Sequence, residues 1–196
     1  MSRLLLLRHG QSAWNAERRL QGQADPPLTA EGEAQARAAG ALLEGQDVRH
    51  AVCSDLRRAR RSAALAGFPE ARLDPGWREI KVGDWSGRSV DDLRAEDRDA
   101  WRGWRAGRFT PPGAESWSAF AARIGEALAE FGGAEPTLAV THGGVIRAVL
   151  SILLEIPPDR LAPIPPGSLT VVETGAWPRL RVYGATPTFG GQDAPD

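Results

Sequence analysis

Two stretches of the chain hold a histidine in the same setting. In "LLLLRHG" (residues 4–10) and "LAVTHGG" (residues 138–144) an apolar run ends, a histidine follows and glycine comes next. Glycine relaxes the backbone where a strand turns into a helix. If the two runs are neighbouring strands, His9 and His142 meet at their ends. One histidine in such a place is ordinarily a polar loop residue; two of them, flanked by Arg8, point to a shared site. Arginine recognises phosphate and carboxylate through a rigid bidentate fork, so the chemistry implied is that of an anion held against imidazole. Metal chemistry has no support in the spacing: there is no HxH or HExxH pattern, and Cys53 is the only cysteine. The metal and cofactor expectation is none.

These residues need a scaffold, and the pattern supplies one. Residues 3–7 read as a fully buried strand, and residues 12–20 look helical. Thr29 can cap a helix through Leu43, with Glu31 and Glu33 at the positive end of its dipole. Residues 50–53 read as a second strand, and Ser54 as the cap of a helix over 56–66. Two amphipathic segments follow, 89–104 and 116–131. Residues 137–140 and 145–154 repeat the strand-then-helix plan of the N-terminus. Residues 168–173 and 179–183 alternate like closing strands, and 186–196 has the composition of a frayed tail. Strands alternating with helices predict an α/β fold of three layers, a mainly parallel sheet with helices on both faces. Ligands are then expected beyond the carboxyl ends of the strands.

Composition narrows the partners. The 196 residues are 42% hydrophobic, enough for one packed domain. The formal net charge is −1, so no overall basic field argues for nucleic acid. Residues 4–7 are too few for a signal-peptide core or a membrane span. A lone cysteine beside Ala51 and Val52 suits a buried thiol in a reducing cytoplasm. A homodimer through an edge strand or an exposed tryptophan patch is compatible with this composition.

"LLRHGQSAWN", "SDLRRARRSA", "REIKVGDWSG" and "VTHGGVIRAVL" resemble, in order, the four motifs of the histidine phosphatase superfamily, which includes cofactor-dependent phosphoglycerate mutases and many small phosphatases. The resemblance spans residues 4–150 and implies a phosphoglycerate mutase-like fold. It implies that His9 is the nucleophile that becomes phosphorylated, that Arg8, Arg58 and His142 bind the phosphoryl group, and that Glu79 is the proton donor. An imidazole attacks only when neutral, so His9 needs its other ring nitrogen held by an acceptor, with a backbone carbonyl expected. Arginine forks match the non-bridging oxygens of a transferring phosphoryl group. Gly143 offers a backbone N–H at a helix N-terminus. Asn15 and Gln21, with Gly22, lie where the family's loop is resembled by "QGQADPPLT", and the two amides could bond phosphate oxygens. Helical geometry alone does not choose Arg58 over Arg57, Arg60 and Arg61, and nothing local marks Glu79; both rest on the resemblance.

The expected activity is hydrolysis of a small phosphate ester, without metal, in a single domain over residues 1–196 with a helical cap segment at about 80–117. A mutase would have to retain and reorient a doubly charged acid, which requires positive groups beyond the phosphate clamp. Mutases of the superfamily carry a longer, basic insertion after the acid motif, whereas residues 80–141 here hold Trp85, Trp101, Trp104 and Trp117. That favours a larger or less charged leaving group, unless the tryptophans are core. "VGDWSGRSVDDL" followed by "PPGAES" also looks like the alpha-ribazole phosphatase branch, from which Ser86 and Ala114 depart. Phosphoglycerate mutase is the alternative enzyme, and a catalytically silent phospho-ligand binder the alternative of another class.

Overall fold

Four consecutive leucines leave no polar side chain to meet water on either side, and the segment is buried on both faces as strand β1 (Ser2–Arg8). The computed structural model describes residues 2–130 and 135–187. Within them β1 joins β2 (His50–Cys53), β3 (Arg72–Leu73), β4 (Thr137–Thr141), β5 (Leu169–Thr174) and β6 (Arg179–Ala185) in one sheet of order β3-β2-β4-β1-β5-β6. The first four in that order pair in parallel. The closing strands β5 and β6 add an antiparallel edge, so the sheet is mixed around a parallel centre.

The helices are α1 (Ala13–Ala16), α2 (Ala30–Leu43), α3 (Arg57–Leu65), α4 (Val90–Glu96), α5 (Arg98–Arg105), α6 (Trp117–Ala129) and α7 (Gly143–Leu154). Alternation along β1 sends Leu5 and Leu7 into a core with Ala39, Leu43, Ala59 and Ala63 of α2 and α3. Leu4 and Leu6 enter the other core, with Phe120, Ile124, Val145 and Ile146 of α6 and α7. Each fully buried leucine is worth about 1.5–3 kcal/mol. A one-residue slip would exchange the two cores, so the register that aims the strand end is held firmly.

Several expected elements differ in ways that matter for the site. The helix expected over 12–20 ends at Ala16: Arg18 takes a φ of +54°, and Leu20 N–H then donates to Arg88 O (3.0 Å). The chain is turned there to pair with the segment before α4. Ser54 does not cap α3, whose N-cap is Leu56 with no side-chain bond. The helix expected over 89–104 is two helices, because Asp97 leaves helical geometry and accepts from the N–H groups of Asp99 and Ala100 to start α5. α7 begins directly behind His142, two residues earlier than expected. β3 is two residues long, too short to show a pattern. Phe131 and residues 188–196 of the expected tail lie outside the described residues.

The tryptophans are chiefly core. Trp85 and Trp101 are buried, and Trp85 packs against Trp101 (ring centroids 6.1 Å), Trp104 (5.7 Å) and Phe109 (5.7 Å). Aromatic pairing at these separations ties the short turn Gly83–Trp85, before α4, to α5.

Candidate active site

Parallel pairing of β1 with β4 in the register Arg8↔Thr141 places the next residue of each chain segment side by side. These are His9 and His142, with ring centroids 5.1 Å apart at an interplanar angle of 62°. The backbone of His9 is pinned from several directions. Its N–H donates to Thr141 O (2.9 Å), its carbonyl accepts from Gly167 N (3.0 Å), and the next N–H, that of Gly10, donates to Ser62 Oγ (3.0 Å). Gly10 passes so close to α2 that a Cβ would lie 2.0 Å from Gly32 O.

The tautomer of His9 follows from its partners. The carbonyl of Gly10 can only accept, so Nδ1 carries the proton across the 2.7 Å contact. Nε of Arg58 can only donate, so Nε2 keeps its lone pair at 3.3 Å. Burial first, and then the charges of Arg58 and Arg8, hold the imidazole well below its ordinary pKa. His9 is therefore neutral at neutral pH, with a bare nitrogen facing a guanidinium.

Of the four arginines in α3 only Arg58 points inward, and it is 1% exposed. Its Nη1 donates to Ala24 O (2.6 Å) and its Nη2 to Gly22 O (2.7 Å), while Asp25 lies 3.6 Å away. Burial lowers its pKa to about 10, which still leaves it charged at neutral pH. Gly22 thus orients the guanidinium through its carbonyl. Its φ is +52°, and a Cβ there would lie 2.8 Å from Val82 Cγ2, so the position requires glycine. Arg8 donates through Nη1 to Ile164 O and runs beneath Gly143, whose Cβ would sit 3.5 Å from Cζ.

His142 is fully buried at the N-cap of α7. Its Nε2 shares a hydrogen with Ser54 Oγ (2.8 Å), and burial, then Arg58, His9, Arg8 and Arg123, lower its pKa well below the ordinary value. Glu79 reaches the same helix end: its carboxylate accepts from Gly144 N (3.0 Å) and Ile80 N (2.8 Å). A Cβ on Gly144 would fall 2.1 Å from Glu79 Oε1, so glycine there admits the carboxylate. Asn15 and Gln21 are both buried against Ser12, whose hydroxyl lies 3.1 Å from Asn15 Oδ1 and 2.8 Å from Gln21 Oε1.

His9, Arg58 and His142 therefore converge, with Arg8 beside them and Glu79 across the start of α7. A cavity of about 80 Å³ opens there, lined by Arg8, Glu79, Gly143, Gly144, Arg105 and Arg147 among others. A larger one, about 480 Å³ and lined by Arg57, Arg60 and Arg61, shares none of the site residues. Sequence reasoning missed Ser54, Arg105 and Arg147. Ser54 follows β2 as His142 follows β4, a third parallel strand end that could have been read alongside the other two. Arg147 is three residues beyond Gly144 on one helix face, also a readable spacing. Arg105 had no signal. Among the described residues no group of three or more His, Cys, Asp or Glu is placed to hold a metal ion.

The family model of the histidine phosphatase superfamily (branch 1) matches residues 4–179. The chain is 37% identical over 169 residues to the probable phosphoglycerate mutase GpmB of Salmonella choleraesuis, covering 80% of this chain and 77% of that one. Among solved structures it is similar to a mycobacterial glucosyl-3-phosphoglycerate phosphatase complexed with VO3, at 34% identity and a TM-score of 0.85, covering 95% and 100% of the two chains. It is also similar to the protein TTHB049 of Thermus thermophilus, at 42% identity and a TM-score of 0.78, covering 93% and 99%.

Proposed function

Because the chain belongs to branch 1 of the histidine phosphatase superfamily, we propose that it is a metal-independent phosphomonoesterase acting through a phosphohistidine on His9. The observation that carries the reading is the locked tautomer of His9, with Nδ1–H on Gly10 O and the Nε2 lone pair free of a proton. Nε2 attacks the phosphorus of a monoester as the bond to the leaving oxygen breaks. Arg8, Arg58, His142 and the N–H of Gly143 hold the non-bridging oxygens, whose charge the guanidiniums balance. Glu79, in its protonated form, gives its proton to the departing alkoxide. As a carboxylate it then takes one from the water that cleaves the P–N bond, releasing phosphate and restoring neutral His9. Asn15 and Gln21 contribute amide bonds, and Gly22 acts through Arg58.

The likeness to a phosphatase complexed with VO3 supports an oxyanion site of this kind. A phosphoglycerate mutase is the second reading, favoured by the likeness to GpmB and by Arg105 and Arg147 in the cavity. It shares the first half-reaction and differs in returning the phosphoryl group to a second hydroxyl rather than to water. Alpha-ribazole phosphate stays among the esters to assay. We take residues 1–196 as one domain whose cap spans about 80–117, and we propose a cytoplasmic location, which the buried thiol of Cys53, pushed up to about 12 by burial, fits. No described helix is long and apolar enough to cross a membrane. For a homodimer, the exposed tryptophan among the described residues is Trp177, between β5 and β6.

The test is p-nitrophenyl phosphate and, separately, 3-phosphoglycerate, with chelator present, in the wild type and in His9→Ala. Phosphate release that disappears in His9→Ala, together with an acid-labile phosphoryl adduct on His9 in quenched wild type, is the expected result. Isomer formation without release would make the protein a mutase. Reversible phosphate binding with no adduct would leave only a binder.

A further inference from the structure

We infer that Ser54 is a positioning residue for His142: its hydroxyl donates to Nε2, which fixes the proton of the neutral ring on Nδ1 and makes that N–H a donor to the phosphoryl oxygens. The tautomer is a property of the folded protein alone. The acceptor that Nδ1–H meets rests on the phosphomonoesterase reading.

Ser54 is carried to His142 by the sheet. Parallel pairing of β2 with β4 in the register Cys53↔Val140 sets the residue after β2 beside the end of β4, and Ser54 N–H donates to Val140 O (3.0 Å). Both side chains are fully buried, so neither turns to water for a partner. Among the described residues Ser54 Oγ meets two groups, His142 Nε2 at 2.8 Å and Leu56 N–H at 3.4 Å. The amide can only donate, so the hydroxyl hydrogen has one acceptor within reach, Nε2, and only if that nitrogen is bare.

The other end of the ring gives the same answer. His142 Nδ1 is buried and has no partner among the described residues. With the proton on Nε2, the hydroxyl hydrogen of Ser54 and the Nδ1 lone pair would both be orphaned. With the proton on Nδ1, only that N–H is, and because each buried orphan costs free energy the second arrangement wins. His142 is the N-cap of α7, where free N–H groups gather, yet its side chain accepts none of them, and Gly144 N–H goes to Glu79 instead. The one orphan left is therefore a donor, in a ring whose centroid lies 5.1 Å from that of His9. Burial first, and then Arg58, keep that ring neutral at neutral pH. A phosphoryl oxygen supplies the acceptor that Nδ1–H lacks. The two histidines then share one tautomer and use opposite ends of it: Gly10 O leaves His9 a bare Nε2 that attacks, and Ser54 leaves His142 a protonated Nδ1 that donates.

Long-range proton–nitrogen NMR correlations of the ¹⁵N-labelled full chain near neutral pH read the position of the proton directly. The three imidazoles, His9, His50 and His142, are assigned with His9→Ala and His50→Gln. Wild type is expected to show a protonated Nδ1 and a bare Nε2 at His142; a protonated Nε2 overturns the inference. In Ser54→Ala nothing opposes a proton on Nε2, and the population with a bare Nδ1 is expected to rise severalfold, whereas Ser54→Thr, which keeps a hydroxyl, holds the wild-type tautomer. An unchanged tautomer in Ser54→Ala, with circular dichroism to check that it is folded, overturns the role of Ser54. Should Ser54→Ala not fold, Ser54→Cys, whose thiol is a weak donor, serves the same comparison. Inorganic phosphate is then titrated into the same samples. The Nδ1 signal of wild-type His142 is expected to shift while the ring stays neutral, and Ser54→Ala to bind phosphate roughly threefold to tenfold more weakly, the factor that one net hydrogen bond represents. Phosphate that shifts His9 but leaves His142 Nδ1 unmoved, or that protonates both nitrogens of His142, overturns the donor role. Phosphate that shifts neither histidine is instead the failure of the phosphomonoesterase reading, which takes the acceptor with it, and the tautomer set by Ser54 is judged from the spectra without phosphate.

Discussion

At the scale of single residues, the proposed chemistry depends on keeping a proton off one nitrogen. Burial disfavours imidazolium at His9, and the guanidiniums of Arg58 and Arg8 repel the same charge, so Nε2 stays available well below pH 6.5. Arg58 acts twice, since it also donates to that nitrogen through Nε. Removing its charge relieves the repulsion, and the pKa of His9 moves up towards the ordinary value. In Arg58→Met the imidazole titration of His9 followed by NMR is therefore expected at higher pH than in wild type, and the acid limb of kcat/KM shifts the same way. A titration unchanged or moved lower would show that Arg58 does not set the protonation of His9. Of the residues in this group, His9, His142 and Arg8 were legible from the chain because they sit at strand ends. Arg58 and Glu79 were not: one is a member of a run of arginines, the other an unmarked acid, and only the resemblance singled them out.

At the scale of elements, two close approaches position the groups. The loop after β1 crosses the start of α2 where both partners are glycine, Gly10 and Gly32, and the start of α7 admits Glu79 because Gly144 has no side chain. The second is testable without breaking the core. Gly144→Ala puts a methyl group where Glu79 Oε1 lies, and the flexible carboxylate is displaced while the helix survives. The turnover of an alkyl phosphate, whose alkoxide needs a proton, is expected to fall by about 10²–10⁴-fold. That of p-nitrophenyl phosphate, with its better leaving group, should fall much less. Equal losses on both esters would mean that the methyl group acts through misfolding or through the phosphoryl clamp. The element pattern was readable for the long helices and the buried strands. It failed at α1 and between α4 and α5, where a positive φ at Arg18 and a cap at Asp97 override the local preference.

For the molecule as a whole, two buried neutral histidines couple the site to stability. In the unfolded chain both bind protons near pH 6.5, whereas in the fold both pKa values lie well below that. The unfolded state therefore holds more protons between those limits, and stability rises with pH across that window. As pH falls below 6.5 the protein is expected to lose up to about 1.4 kcal/mol per pH unit for each histidine, until the folded-state values are reached. Urea unfolding at about pH 7, 6 and 5 measures this across the window. His9→Ala should remove about half of the dependence, and a wild-type stability flat over that range would contradict the buried neutral pair.

What the sequence determined by itself is the α/β plan, the doubly buried β1 and the two strand-end histidines, because these rest on periodicity and on local backbone needs that operate over a few residues. Tertiary structure alone decided which strands are neighbours, and so whether the histidines meet. It also decided which arginine of α3 turns inward, that Ser54 serves His142 rather than α3, and that Arg105 of α5 shares a cavity with Arg147 of α7. Each of those facts depends on contacts between residues far apart in the chain, made only when β4 slots in parallel between β1 and β2 and the two cores close on either side.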